Sequence, residues 1–87
     1  MFHVYVIVSV THPDRYYIGF SSRPEDRLTE HNDGKNPSTV GFIPWRFAAI
    51  FSFPSEQKAR GFEHYLKGGS GRAFLGRHVL SDMDAQG

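Results

Sequence analysis

Phe2-His3-Val4-Tyr5-Val6-Ile7-Val8-Ser9-Val10, then Thr11-His12-Pro13-Asp14, then Arg15-Tyr16-Tyr17-Ile18-Gly19-Phe20: this stretch decides the fold. β-Branched side chains dominate the first run, and Phe2, Val4, Val6, Val8 and Val10 fall on one face of an extended chain. Thr11 to Asp14 supplies turn chemistry, after which the strand pattern resumes from Arg15 to Phe20. A short turn between two such runs predicts an antiparallel hairpin.

Downstream, Ser22-Arg23-Pro24-Glu25 has the form of a capping box, with Ser22 as N-cap and Pro24 in the first turn. That helix is expected to end near Asn32, where Asn32-Asp33-Gly34 stops it. Residues 33–45, rich in Gly, Pro, Asn and Ser, form the longest irregular stretch, and Trp45 to Phe53 reads as a third strand. Pro54-Ser55 opens a second helix with Ala59, Phe62 and Leu66 on its buried stripe, and Gly68-Gly69 closes it. Ser70 is placed to cap a short last helix reaching about Val79, weakened by Gly71 and Gly76. The expected order is β-β-α-β-α-α: a single α+β domain over residues 1–80, with a three-stranded antiparallel sheet flanked by helices. The tail, residues 81–87, is expected to fray.

Eighty-seven residues can bury one core, and with 15% aromatics that core is expected to be built around rings, Trp45 among them. The absence of cysteine excludes disulfides, thiolate metal sites and a thiol nucleophile, and fits a cytoplasmic location. No stretch approaches the roughly 20 apolar residues that span a bilayer, so no membrane association is expected. The run from Phe2 to Val10 lacks a preceding basic residue and reads as a strand, not a signal peptide. Net charge is only +1, but residues 1–80 carry ten bases against seven acids, and seven of those bases are arginine. Arginine's fork suits phosphate oxygens, yet this balance also describes an ordinary solvated surface.

Cutting a phosphodiester needs a group to activate water, a cation to offset developing charge, and donors to hold the phosphate in line. The hairpin offers Tyr5 and Tyr17, whose phenols meet if they share a face. The first helix offers Arg27 and His31, one turn apart on one face. The second helix offers Glu63 beside Phe62 and Leu66, where a carboxylate needs a reason. Each has a plainer explanation alone. Tyrosines are common in strand cores, Arg27 and His31 suit a polar helix face, and Glu63 has Lys67 four residues on.

Their joint spacing resembles the GIY-YIG nuclease superfamily, and in particular small stand-alone members related to the N-terminal catalytic domain of the excision-repair nuclease. The first motif appears as His3-Val4-Tyr5, with His3 in place of glycine, and the second as an intact Tyr17-Ile18-Gly19. Arg27 follows Gly19 by eight residues, His31-Asn32 completes an Arg-x-x-x-His-Asn pattern, and Glu63 matches the acidic position. Gly69-Ser70-Gly71-Arg72-Ala73-Phe74 resembles the segment that follows in many small members, so the resemblance covers residues 3 to about 78.

The resemblance implies an endonuclease that hydrolyses nucleic acid, DNA before RNA, with one Mg²⁺ or Mn²⁺ held by Glu63. It implies that Arg27 binds the phosphate and that Tyr5 or Tyr17 takes the proton from water. His31 would assist that transfer or orient a phenol, and Asn32 is equally a helix stop. Arg15, Arg23, Lys35, Arg46, Arg60, Lys67, Arg72 and Arg77 are the expected phosphate contacts, giving affinity without sequence choice. Trp45 is open to two readings, approach to the substrate or core. So small a surface implies weak, structure-directed binding unless another protein supplies targeting. Two alternatives stand beside this one: a binding module that keeps the fold without cutting, and an unrelated interaction domain in which the polar residues scatter.

Overall fold

The structure is a computed structural model, and it describes residues 1–80. The β-branched run forms β1 (Phe2–Ser9) and the next run forms β2 (Tyr16–Ser21), joined as an antiparallel hairpin. The strand stops one residue before Val10, which is exposed. Ser9 closes the turn: its buried hydroxyl donates to Phe42 O at 2.7 Å and accepts from the His12 N–H at 3.0 Å.

The third strand, β3 (Trp45–Phe53), pairs antiparallel with the other side of β1, giving the order β2-β1-β3. The central strand is therefore covered on both faces, which is why its sequence is nearly continuous in Val and Ile. One face takes helix α1 (Pro24–Asn32), where Tyr5, Ile7 and Trp45 pack with Leu28, Phe42 and Phe47. The other takes α2 (Glu56–Leu66) and α3 (Gly69–His78), where Val4, Val6 and Ile18 meet Ala59, Leu66 and Leu75. Phe51, Phe53, Phe62 and Phe74 line that second layer, with Phe51 and Phe62 centroids 4.8 Å apart. The ring-built α+β fold expected from the sequence is the one observed.

The register of β3 against β1 slips between Val6 and Ile7, so that Val6 faces Ala49 while Ile7 faces Phe47 and Ala48 is left over. A bulge of this kind reverses which side chains point to which face. Trp45 and Phe47 thereby reach the α1 layer, while Ala49, Phe51 and Phe53 reach the other. Trp45 is core, 5% exposed, and the reading that brought it to a substrate is corrected.

Both expected serine caps of α1 and α3 also need correction. Pro24 is the first helical residue of α1, so the N-cap is Arg23, not Ser22, and no side chain caps the end. The residue before a proline is pushed to extended backbone, which places the boundary one residue later than the capping-box spacing suggests. Helix α3 begins at Gly69 after extended Gly68, so Ser70 lies inside it. Gly71, expected only to weaken α3, is buried where a Cβ would collide with Tyr65 O and the Leu66 backbone. It lets α3 cross the end of α2 in contact. Ser55 does cap α2, accepting from the Lys58 N–H at 3.2 Å. The expected frayed tail, residues 81–87, lies outside the described residues.

Candidate functional site

Alternation along the strands sets the site. Tyr5 lies opposite Gly19 and Ile7 opposite Tyr17, so both tyrosines occupy the α1 face, with ring centroids 6.5 Å apart. The Tyr5 ring crosses toward β2 over Gly19, where an added Cβ would clash with its Cζ and Oη. The glycine is there because a phenol occupies the space a side chain would fill.

Helix α1 brings His31 against both rings, at centroid distances of 5.9 Å from Tyr5 and 4.9 Å from Tyr17. His31 is 1% exposed and bonded at both nitrogens, Nε2 to Tyr5 Oη at 3.0 Å and Nδ1 to Thr39 Oγ1 at 2.8 Å. Thr39, itself buried, also donates to Asn36 O at 3.4 Å. One proton assignment satisfies every member. Thr39 gives its hydrogen to Asn36, His31 Nδ1–H donates to Thr39, and Tyr5 O–H donates to the bare Nε2. Burial, and then the nearby Arg27 charge, lowers the His31 pKa, so the imidazole is neutral as this chain requires.

Arg27, one turn before His31, stands beside the Tyr5 phenol. Burial raises the Tyr5 pKa, and Arg27 opposes that shift. In return Tyr5 keeps Arg27 more firmly protonated. The Arg27 side chain is 44% exposed and pairs loosely with Glu30 at 3.3 Å, so it is free to exchange that partner for an anion.

The two tyrosines differ in access. Tyr5 is 0% exposed. Tyr17 is half-buried and makes no hydrogen bond among the described residues, and its hydroxyl reaches solvent. It lines a cleft of about 290 Å³ at the free edge of β2, together with Tyr16, Ile18, Lys67 and Arg72. On the α1 side, Arg27, Glu30, His31, Lys35, Asn36 and Pro37 line a smaller cleft of about 190 Å³.

Of the five residues singled out in the sequence, the fold brings four together: Tyr5, Tyr17, Arg27 and His31. Glu63 is carried by α2, which packs on the other face of the sheet. Its side chain is 19% exposed and Oε2 accepts from Lys67 Nζ at 3.1 Å, while Oε1 has no partner among the described residues. The link between the layers is the cleft at the β2 edge, which Tyr17 shares with Lys67, the partner of Glu63.

Other residues find plainer places. His3 bonds across the sheet to Ser52 Oγ at 2.7 Å and stays out of the tyrosine cluster. Asn32 clamps β3, accepting from Trp45 N at 2.6 Å and donating to Trp45 O at 3.1 Å. The eight expected phosphate contacts have different local surroundings. Lys67 and Arg72 flank Tyr17, and Lys35 flanks Arg27. Arg15 and Arg60 lie over the rings of Phe42 and Phe20, Arg23 pairs with Asp26, and Arg46 and Arg77 are exposed elsewhere. Sequence reasoning missed Thr39, a lone threonine in an irregular loop with no periodic or charge signal around it.

Residues 1–74 match the family described as the GIY-YIG catalytic domain. The structure-specific endonuclease subunit SLX1 of Debaryomyces hansenii is 34% identical in an alignment covering 92% of this chain and 24% of that protein. The protein of the same name from Scheffersomyces stipitis is 35% identical over 70% of this chain and 20% of its own length. That from Candida dubliniensis is 33% identical over 91% and 29%. The chain thus spans a quarter or so of the length of these relatives.

Proposed function

This chain belongs to the GIY-YIG family, and from that premise we propose that it is an endonuclease hydrolysing phosphodiester bonds in nucleic acid, DNA first, at the free edge of β2. One observation carries the reading: Tyr5, Tyr17, Arg27 and His31, up to 26 positions apart in sequence, converge on one face, with Tyr17 open to an incoming group. A protein that used these residues only as core would have no need to keep a charged guanidinium and a proton-poor imidazole at the phenols.

The arrangement supports a division of labour. Tyr17 is the residue whose hydroxyl oxygen would face the attacking water, taking the water's proton as its own is given up to solvent. Arg27 would release Glu30 and bind the phosphate, offsetting the negative charge that develops there. Tyr5, fully buried, is a positioning residue: it holds His31 and Arg27 in place through its hydroxyl. Lys67 and Arg72 hold the flanking backbone in the cleft.

Nucleases of this family generally depend on a divalent metal. Among the described residues no three His, Asp or Glu side chains cluster to hold one, so such an ion would rest on Glu63 and complete its shell from water and phosphate. Glu63 suits that task, with a carboxylate oxygen lacking any described partner. Mg²⁺ or Mn²⁺ bound there would supply Lewis-acid stabilisation of the leaving oxygen. The relatives are named as subunits and as structure-specific. Carried to this chain, those words favour recognition of nucleic-acid shape and a second protein for targeting.

The test is cleavage of branched, flapped and single-stranded DNA with Mg²⁺ or Mn²⁺. Cutting that disappears in Glu63→Gln and in Arg27→Ala supports the reading. DNA binding without cutting, indifferent to metal and to both substitutions, replaces it with a binding module of the same fold.

A further inference from the structure

A roomy cavity lies away from Tyr5 and Tyr17, on the outer flank of α2. Phe53, Pro54, Gln57, Lys58, Gly61, Phe62 and Tyr65 line an open groove of about 690 Å³. Its walls are aromatic: Tyr65 is 42% exposed, 5.7 Å from Phe62, which lies 5.4 Å from Phe53. No acidic residue lines it, and the Lys58 ammonium has no ion-pair partner among the described residues.

Gly61 adds a second observation. Glycine is among the poorest helix formers, yet Gly61 sits in the middle of α2, and a Cβ there would meet nothing within 4 Å. Packing gives no reason for it, unlike Gly19 and Gly71. What its bareness does is keep the floor of the groove flat between Tyr65 and Lys58.

A flat floor, aromatic walls, a polar amide and an unopposed cation match the chemistry of a nucleotide with a free base. We propose that this groove binds an unpaired nucleobase of the substrate, stacked against Tyr65 over Gly61, with an adjoining phosphate on Lys58. The inference rests on the nuclease reading for its choice of ligand. Glu63 lies on the far flank of the same helix, about one helix diameter or 10–12 Å away. An unpaired arm leaving a branch point would then be held while the backbone beside it enters the β2-edge cleft. Stacking of this kind tolerates any base, so it selects single-stranded character and not sequence.

The experiment measures binding without cutting. A short single strand carrying 2-aminopurine is titrated with the full chain in EDTA, and quenching and affinity are followed. Gly61→Leu fills the floor while improving helix propensity, so its thermal midpoint should not fall. It and Tyr65→Ala should each weaken binding roughly tenfold and abolish the quenching. Lys58→Ala should flatten the dependence of log K on log salt by about 0.7. Quenching that persists in wild type, is lost in Gly61→Leu, and occurs in a chain that never cuts DNA supports the groove and sinks only the nuclease reading. Unchanged affinity and quenching in a folded Gly61→Leu overturn the proposal. So does a variant whose only defect is loss of self-association in sedimentation, since that makes the groove a protein-docking face.

Discussion

Replacing Gly19 with alanine puts one methyl group where the Tyr5 phenol now lies. The added carbon would overlap Cζ and Oη and come within 2.6 Å of Cε2, whereas carbons in contact sit about 3.5–4.0 Å apart. Tyr5 must therefore shift by more than about 1 Å, and it is enclosed, with no exposed surface and with Phe47 and His31 against its ring. Overpacking of this kind costs roughly 1–3 kcal/mol. Moving the hydroxyl off His31 Nε2 leaves a buried acceptor without its donor, about 1–3 kcal/mol more. The variant should lose roughly 2–6 kcal/mol, and at about 4–8 °C per kcal/mol for a domain of this size the melting midpoint should fall by at least about 8 °C. Thermal denaturation by circular dichroism measures it. Combining Gly19→Ala with Tyr5→Ala should cost less than the two single changes added together, by at least about 1 kcal/mol, because the smaller residue vacates the space. A Gly19→Ala midpoint within about 2 °C of wild type, or strict additivity in the pair, would refute the assignment of this glycine to the phenol.

Three other outcomes follow from the same site. In Thr39→Val, His31 Nδ1 loses its acceptor; ¹⁵N shifts should show the Nδ1–H tautomer in wild type and its depletion in the variant, and an Nε2–H wild type contradicts the hydrogen-bond chain. Tyr17→Phe should lower the cleavage rate by about 10²-fold or more with stability nearly unchanged, whereas Tyr5→Phe should cost about 1–3 kcal/mol of stability and less of the rate; equal rate losses would erase the division of roles. Because His31 has a lowered pKa when folded, the native chain binds fewer protons than the unfolded one as the pH drops past about 6.5. Its stabilising contribution is complete above that pH, declines below it and levels off once the pH is under the folded value. Melting midpoints from about pH 7.5 to pH 5 should therefore fall more steeply in wild type than in His31→Gln, and parallel curves would count against a buried neutral imidazole.

The parts of the molecule that were legible in the sequence are those written as periodicity or as motif spacing. Alternation in residues 2–20 announces a hairpin, but whether Tyr5 and Tyr17 share a face depended on the turn register, which the observed Tyr5–Gly19 and Ile7–Tyr17 pairs supply. The i, i+4 spacing of Arg27 and His31 is enough to put that pair on one face of α1. What was hidden depends on residues whose partners are remote. Nothing local marks Ala48 as a bulge, so the inward turn of Trp45 was ambiguous. Pro24 overrode a capping box by one residue, because the restriction it places on Arg23 outweighs a serine at the usual offset. Thr39 and Gly71 act through backbone and side chains that sequence distance conceals, and Gly71 was read by its propensity when its role is steric.

That the helix carrying Glu63 lies in a different layer from the tyrosines follows from the strand order. With β1 central, any residue on α2 or α3 lies beyond the sheet from α1, and the two layers can address one substrate only around an open edge. The edge formed by β3 is the wrong one, since it lies across β1 from Tyr17. At the β2 edge, Tyr17 from one layer and Lys67 and Arg72 from the other already border a common cleft. Lys67, which lines that cleft, also holds Glu63, and its exposed end lets the pair be exchanged at little cost. A phosphate that drew Lys67 to itself would free the carboxylate on the side where a cation is needed. If the proposed function holds, substrate would complete the site, and Lys67→Ala, by freeing Glu63 in advance, should tighten Mn²⁺ binding while weakening DNA binding. A loss of both would mean that the pair holds α2 in place and has no part in the exchange.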